Sequence, residues 1–281
     1  MQVVKTIKEL RNIIDQWKSV GLTIGLVPTM GFLHEGHGSL IKTASQNNDK
    51  VVVSIFVNPT QFGPNEDLDK YPRDLEHDKA ICKANGASII FHPEVEELYP
   101  SPSFTSVCVN GLSEKLCGEK RPGHFNGVCL VVSKLFNIVK PHKAYFGEKD
   151  AQQLAVIKRM VYDLNFNIKI VGCPIVREED GLAMSSRNAY LSYEERKAAL
   201  ILSKSLNKAK KLLNSGERDA TKIKEFLVSE ISEESLAKID YIEIVDSSTI
   251  QPVEKIESTI LVAIAVFIGK TRLIDNFTCE I

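Results

Sequence analysis

Short, wholly apolar β-type runs recur along the first two thirds of the chain, and helical stretches separate them. Residues 51–57 read VVVSIFV. A strand with one wet face alternates apolar and polar residues. A run without alternation belongs to a strand covered on both faces, as in a parallel sheet flanked by helices. Residues 22–27, 88–91, 144–146 and 168–176 are further strands of this series. Between them, Leu154, Ile157, Val161 and Leu164 keep a helical rhythm, and residues 128–139 form an apolar helix closed by Pro141. At the start, Thr6 and Glu9 have capping-box spacing, and Val3, Ile7, Leu10, Ile14 and Trp17 follow at helical intervals up to Gly21. The alternation predicts an open parallel α/β sheet, whose ligands bind beyond the carboxyl ends of the strands.

After about Ser192 the pattern changes. Residues 193–214 and 219–231 read as helices, and β-rich runs follow at 241–245, 259–268 and 272–277. This predicts two domains, residues 1–183 and a small α+β unit of residues 184–281, with a cleft between them. Lys and Arg number 35 against 36 Asp and Glu, a net charge of −1, which argues against coating nucleic acid or a membrane by bulk charge. The longest apolar run, residues 261–268, is too short to span a bilayer. The opening MQVVKTIKEL carries Glu9 and has no apolar stretch of signal-peptide type. Cys82, Cys108, Cys117, Cys129, Cys173 and Cys279 form no CxxC pair and are too sparse for a disulfide framework. Reduced thiols in a cytoplasmic protein are expected, and the Asn276-Phe277-Thr278 sequon is then never used.

Four polar segments interrupt this apolar frame. PTMGFLHEGHGSL follows the first buried strand and opens a helix. Its glycines let backbone approach a ligand, and the helix N-terminus offers free N–H groups to an anion. His34 and His37, three residues apart, are able to face one ligand there. The HEGH spacing is one residue short of a zincin motif, and no third ligand stands at a useful spacing. A GxGxxG match from Gly36 lacks its last glycine, and Gly269-Lys270-Thr271 lacks both the first glycine of a P-loop and the helix that follows one. The second segment, FVNPTQFG, sets the neutral amides Asn58 and Gln61 at a strand end, suited to hydroxyls and carboxylates. The third, FGEKDAQQ, brings Lys149 as a mobile point charge and Asp150 as either a helix cap or a ligand of hydrated Mg²⁺. The fourth, from Arg177 to Asn188, offers hydroxyls and a guanidinium fork in Ser185-Ser186-Arg187, or a helix cap.

The blocks PTMGFLHEGHGSL, SIFVNPTQFGPNEDLDKYPR, RPGHFNGVCLVVSKLFNIVKP, AYFGEKDAQQLAVIKRMVYDLN and IVREEDGLAMSSRNAYLS together resemble the pantothenate synthetase (pantoate–β-alanine ligase) family. The resemblance implies a Rossmann-like nucleotidyltransferase domain, a parallel sheet with helices on both faces, plus the small C-terminal α+β lid and a cytoplasmic homodimer. It implies ATP-dependent joining of pantoate to β-alanine through a pantoyl-adenylate, with Mg²⁺ assisting. It assigns ATP contacts to Met30, Gly31, Phe32, Leu33, His34, Glu35, Gly36, His37, Gly147, Glu148, Lys149, Asp150, Val176, Met184, Ser185, Ser186 and Arg187. It assigns the acid substrates to Gln61 and Gln153; Asn58 joins them on the reading of its amide. His37, His34, Lys149, Ser186 and Arg187 are the expected catalytic donors. Gly38 and Ala151 depart from the family's usual residues. A plain adenylyltransferase, a non-catalytic ATP sensor and a metallohydrolase are the rival readings.

Overall fold

The protein is described by a computed structural model over residues 1–64, 66–101 and 104–280. Among the described residues, β1 (Gln2–Val4), β2 (Ile24–Thr29), β3 (Lys50–Ile55), β4 (Ile89–Phe91), β5 (Lys143–Gly147) and β6 (Lys169–Cys173) form one parallel sheet. Their order is β1-β4-β3-β2-β5-β6. The connections carry α1 (Ile7–Ser19), α2 (Glu35–Asn47), α3 (Leu75–Ala84), the short α4 (Val95–Leu98) and α5 (Cys117–Lys120), α6 (His124–Val139) and α7 (Ala151–Asp163).

The apolar strands divide their side chains between two faces, as their lack of alternation requires. Ile24, Leu26, Val52 and Phe91 join Leu10, Ile14, Phe136 and Ile157 in one core. Val27, Val51, Val53, Ile55 and Ile90 join Leu40, Ile41 and Cys82 in the other.

The strand expected at 241–245 begins at Ala237 and α6 at His124, four residues earlier than the sequence reading in each case, and β1 and β6 differ for a plain reason. Val3 is not the first residue of the helical stripe. It lies on β1 opposite Ile90, and the helix starts only after Thr6, whose hydroxyl accepts the Glu9 N–H at 3.3 Å. Pairing with β4 wins over the local rhythm, and β-branched Val3 and Val4 suit it. β6 ends at Cys173 because Pro174 cannot donate to the ladder.

Among the described residues, α8 (Tyr193–Asn214) and α9 (Ala220–Ser232) then pack on one face of an antiparallel sheet of β7 (Ala237–Asp246), β8 (Ile260–Ile268) and β9 (Thr271–Cys279), ordered β7-β8-β9. Ser192 and Glu195 close a reciprocal capping box at the start of α8. Ile260, Val262, Ile264, Val266 and Ile268 enter this core with Leu202, Leu206, Ile223 and Leu227, and so does Leu182. Leu261 and Ala263 point the other way, toward Leu116, with Ala151 and Ala155 against them. The long apolar run of β8 is thus the middle of a sheet buried on both sides.

Phe136, 1% exposed, fills the space where α6 meets Phe166. Phe136→Ala is expected to cost about 3–5 kcal/mol, the usual loss for a buried aromatic, and to lower the urea midpoint accordingly.

Candidate functional site

β2 pairs with β5 only through Gly25–Lys143 and Leu26–Ala144, while its pairing with β3 continues to Thr29–Ile55. Pro28, with no N–H to donate, stands just past the split. Here the strand order reverses, which is where open α/β sheets leave a crevice at their carboxyl ends. A hollow of about 1140 Å³ occupies it, walled by the ends of β2, β3 and β5, by α6, by residues 174–176 and 184–187 and by the small sheet.

The turn after β2 is strained and clamped. Gly31 has φ +84°, and a Cβ there would stand 3.0 Å from Ile55 Cγ2 and 3.1 Å from Asp78 Oδ2. Phe32 also has positive φ, +50°, a costly conformation for a side-chain-bearing residue. Asp78 of α3 offsets that cost by accepting the N–H groups of Phe32 at 3.0 Å and Leu33 at 2.6 Å. Burial raises the Asp78 pKa, and those two backbone bonds oppose the rise.

The clamped turn delivers His34 and His37 to the start of α2. His34 is the N-cap, its Nδ1 accepting the Gly36 N–H at 3.1 Å, and His37 Nδ1 accepts the His34 N–H at 3.3 Å. Each Nδ1 therefore takes a proton from backbone, and each neutral ring carries its own on Nε2. The ring centroids are 4.1 Å apart. The pKa of His34 is lowered to about 4, by burial first and then by the Lys149 charge, with Asp150 opposing. That of His37 is lowered well below the ordinary range by burial, His34 and Lys149. Both rings are neutral donors at pH 7.

Opposite them lies a wall of neutral amides. Asn58 Oδ1 accepts from Tyr99 Oη at 2.9 Å and Thr60 Oγ1 at 3.0 Å, which fixes its Nδ2 as donor to Gly127 O and Gln61 Oε1, both at 3.1 Å. Gln61 must then turn its Nε2 outward, where it meets only the Met30 sulfur, a weak acceptor, at 2.9 Å. Gly127 makes this approach possible, since a Cβ there would lie 2.3 Å from Thr60 O. Behind Gln61, Arg121 pairs with Glu66 and donates to His124 Nε2 at 3.0 Å, and His124 Nδ1–H donates to Gln61 O at 2.8 Å. The His124 pKa is lowered to about 4 by burial and then by Arg121. Gln152 spends its amide on Leu112 O, Lys115 O and the Cys117 N–H, whereas its neighbour Gln153 lines the hollow.

The other two segments close the ring. Lys149 and Asp150 line the hollow, and Asp150 makes no side-chain cap bond although it stands at the α7 N-cap. Ser186 Oγ donates to Phe32 O at 3.2 Å, tying the late loop to the early turn. Ser185 caps its own 3-10 turn by accepting the Arg187 N–H at 3.3 Å. Arg187 forks onto Asp67 at 3.0 and 3.2 Å.

Of the residues expected at the site, Met30, His34, Gly36, His37, Asn58, Gln61, Gly147, Lys149, Asp150, Gln153, Val176, Met184, Ser185, Ser186 and Arg187 line this one hollow. Gly31, Phe32, Leu33, Glu35 and Glu148 stand behind its wall. Leu33 is 2% exposed in the core, Glu35 faces solvent, and Glu148 packs against Gly172. Gly38 faces Asn85, whose Nδ2 would be 2.9 Å from a Cβ, so Asn85 takes the space of a larger residue. Asp78 and Tyr99 carry no motif in the sequence, and His124 and Asp67 lie in the quoted blocks without an assigned role; all four emerge only as partners of other site residues.

Fold and site together define an α/β protein that gathers anion-binding groups at a switch-point crevice. The family model of pantoate-β-alanine ligase matches residues 2–278. A pantothenate synthetase of Clostridioides difficile (strain 630) is 65% identical over 279 residues, 99% of each chain. The crystal structure of a pantothenate synthetase from Thermus thermophilus is similar with TM-score 0.92 at 43% identity, over 99% of each chain. A pantoate-β-alanine ligase from Francisella tularensis, solved with β,γ-ATP and β-alanine, is similar with TM-score 0.78 at 37% identity, over 99% of this chain and 97% of that one. The chain belongs to the pantoate–β-alanine ligase family, whose members condense pantoate with β-alanine to pantothenate.

The buried imidazoles set a pH dependence. Unfolded, a histidine titrates near 6.5, while His34 and His124 titrate at about 4 in the fold. Between those values the unfolded chain binds more protons, so this part of the stability is fully present above pH 6.5 and drains as pH falls toward 4. His124→Gln removes one titration and is expected to flatten the plot of Tm against pH in that window; an unchanged slope would contradict a buried neutral imidazole.

Proposed function

We propose that the hollow joins pantoate to β-alanine at the expense of ATP, giving pantothenate, AMP and diphosphate through a pantoyl-adenylate. The observation that carries this is the meeting of two chemistries in one space. Neutral amide donors for a small hydroxy acid stand opposite imidazole, ammonium and guanidinium groups for a triphosphate.

In the first step a pantoate carboxylate oxygen bonds to the α-phosphorus, and the bond to the β-phosphate breaks. A carboxylate needs no general base, so the barrier is one of positioning and of charge on phosphoryl oxygen. Gln61 Nε2 and Gln153 hold the acid, with Asn58 fixing the sense of the Gln61 amide. His34 and His37 donate from Nε2 without adding charge, and Lys149, Ser186 and Arg187 act on the phosphates. Arg187 exchanges one anionic partner, Asp67, for another. Met30, Gly36, Gly147, Val176, Met184 and Ser185 shape the nucleotide side of the wall. In the second step the neutral amine of β-alanine attacks the acyl carbon and AMP leaves. Exclusion of water protects the adenylate.

A magnesium ion fits this site through Asp150, whose carboxylate faces the hollow and has no capping duty, with waters and phosphates completing the set. When bound, it would neutralise phosphate charge. Residues 1–183 carry the substrates in this reading, and residues 184–281 cover them. A cytoplasmic homodimer with no nucleic-acid or membrane partner belongs to the same reading. The cysteines are free, which suits a reducing compartment, and no helix among the described residues is long and apolar enough to cross a membrane.

Product analysis with ATP, pantoate and β-alanine tests the whole reading: free AMP and pantothenate are expected, and an adenylylated product would point to an adenylyltransferase. Pantoate alone should drive exchange of labelled diphosphate into ATP; no exchange would exclude a free adenylate. His37→Ala should lower kcat by ~10²-fold or more, the scale of one transition-state donor. Gln153→Ala should chiefly raise the KM for pantoate, and a rise confined to the KM for ATP would reverse that assignment.

A further inference from the structure

The two loops that face the triphosphate in the proposed function are both held by neighbouring residues of the small domain. Asn276 lies on β9, at the end of the β7-β8-β9 order, and is 6% exposed. Its Nδ2 donates to Glu148 O at 3.1 Å and to Lys149 O at 2.8 Å. A carboxamide nitrogen has two hydrogens, so both are spent on these consecutive carbonyls. They belong to the 3-10 turn Glu148–Asp150, between β5 and α7, that carries Lys149 into the hollow. Asp275 beside it, 2% exposed, accepts both Nη groups of Arg177 at 2.7 and 3.0 Å and also the Asn276 N–H at 2.8 Å. Arg177 opens the late loop, which is cross-tied from Met184 N–H to Val176 O at 3.0 Å. One strand of the C-terminal sheet, which itself lines the hollow, thus grips both phosphate-facing loops.

We propose that Asn276 is a positioning residue for Lys149, holding the lysine's backbone so that its ammonium meets the phosphates of ATP. The proposal rests on the reading of Lys149 as a triphosphate contact. The turn has no side-chain cap bond of its own, at Gly147 or at Asp150, so the two Asn276 bonds are the side-chain bonds that fix its backbone. A lysine is a point charge on a flexible stem, so its value depends on where its backbone is fixed. Misplacement by about 1 Å is enough to cost ~10²-fold in rate. Tyr241 and Arg272 of the same domain meet Cys117 of α5 instead of a phosphate-facing loop.

A double-mutant cycle tests this, with ATP affinity by calorimetry and kcat/KM for ATP as readouts and a thermal melt as the check on folding. Asn276→Ala is expected to lose about tenfold or more in the wild-type background, on the scale of such misplacement. In the Lys149→Ala background the same change should shift both readouts by less than about twofold, since interacting residues are not additive. Equal losses in the two backgrounds, or no loss in the first, would overturn the proposal. If Asn276→Ala does not fold, Asn276→Ser, which keeps one donor, is carried through the same cycle, with a smaller loss that again vanishes without Lys149. An unaltered ATP affinity and rate in Lys149→Ala alone would instead overturn the reading of Lys149 itself, and with it a role for Asn276 exerted through that residue.

Discussion

Everything at the site depends on where the central strands stop pairing. β2 gives β5 two residues of ladder and then leaves it, while β3 stays paired to its end. A sheet that continued its pairing would close the space with backbone hydrogen bonds. Because it does not, the chain ends of β2 and β5 emerge side by side with free backbone and open turns. The turn of Gly31 and Phe32 and the turn of Lys149 issue from those ends, so the histidines and the lysine meet without any long loop.

The electrostatic character of the crevice follows from how that turn is built. Asp78 takes the two N–H groups left over by the positive-φ turn, and the next N–H groups go to the Nδ1 atoms of His34 and His37. The backbone thereby chooses the tautomer of both rings. Burial and the Lys149 charge keep them neutral. Two neutral donors beside a fixed ammonium can bind a phosphate as a donor array without the repulsion that two imidazolium rings 4.1 Å apart would bring.

The apolar strands, the helices with strong rhythm and the histidine turn are legible in the sequence because each is a local pattern. The supporting residues are not. Asp78 is one of two acidic residues on α3, Tyr99 ends a short helix, and His124 sits in an RPGHFNG block in which nothing marks its partner. What makes each matter is a contact with a residue 45, 41 or 63 positions away. No periodicity or spacing encodes such a pairing. β1 escapes for the same reason: three residues become a strand only because β4 lies beside them. Asn276 shows the reverse error, since its most visible pattern, a sequon, has nothing to do with its side chain's partners.

In the proposed reaction the two walls of the hollow have opposite duties. On the amide side Asn58 and Gln61 are neutral and buried, 1% and 8% exposed, and their network can settle only one way round. Such a network selects, because a substrate that fails to offer an acceptor leaves Gln61 Nε2 facing a sulfur. On the other side charged groups stand beside the neutral imidazoles, and Arg187 with Asp67 is about a quarter to a third exposed. A half-solvated ion pair is weakly held and can trade one carboxylate for a phosphate and back. In that reading rigidity is kept where a small uncharged difference must be recognised, and exchangeable charge where a highly charged product must leave. The Arg177–Asp275 pair, with its carboxylate 1% exposed, serves neither duty but ties the late loop to β9, where breaking a pair costs most.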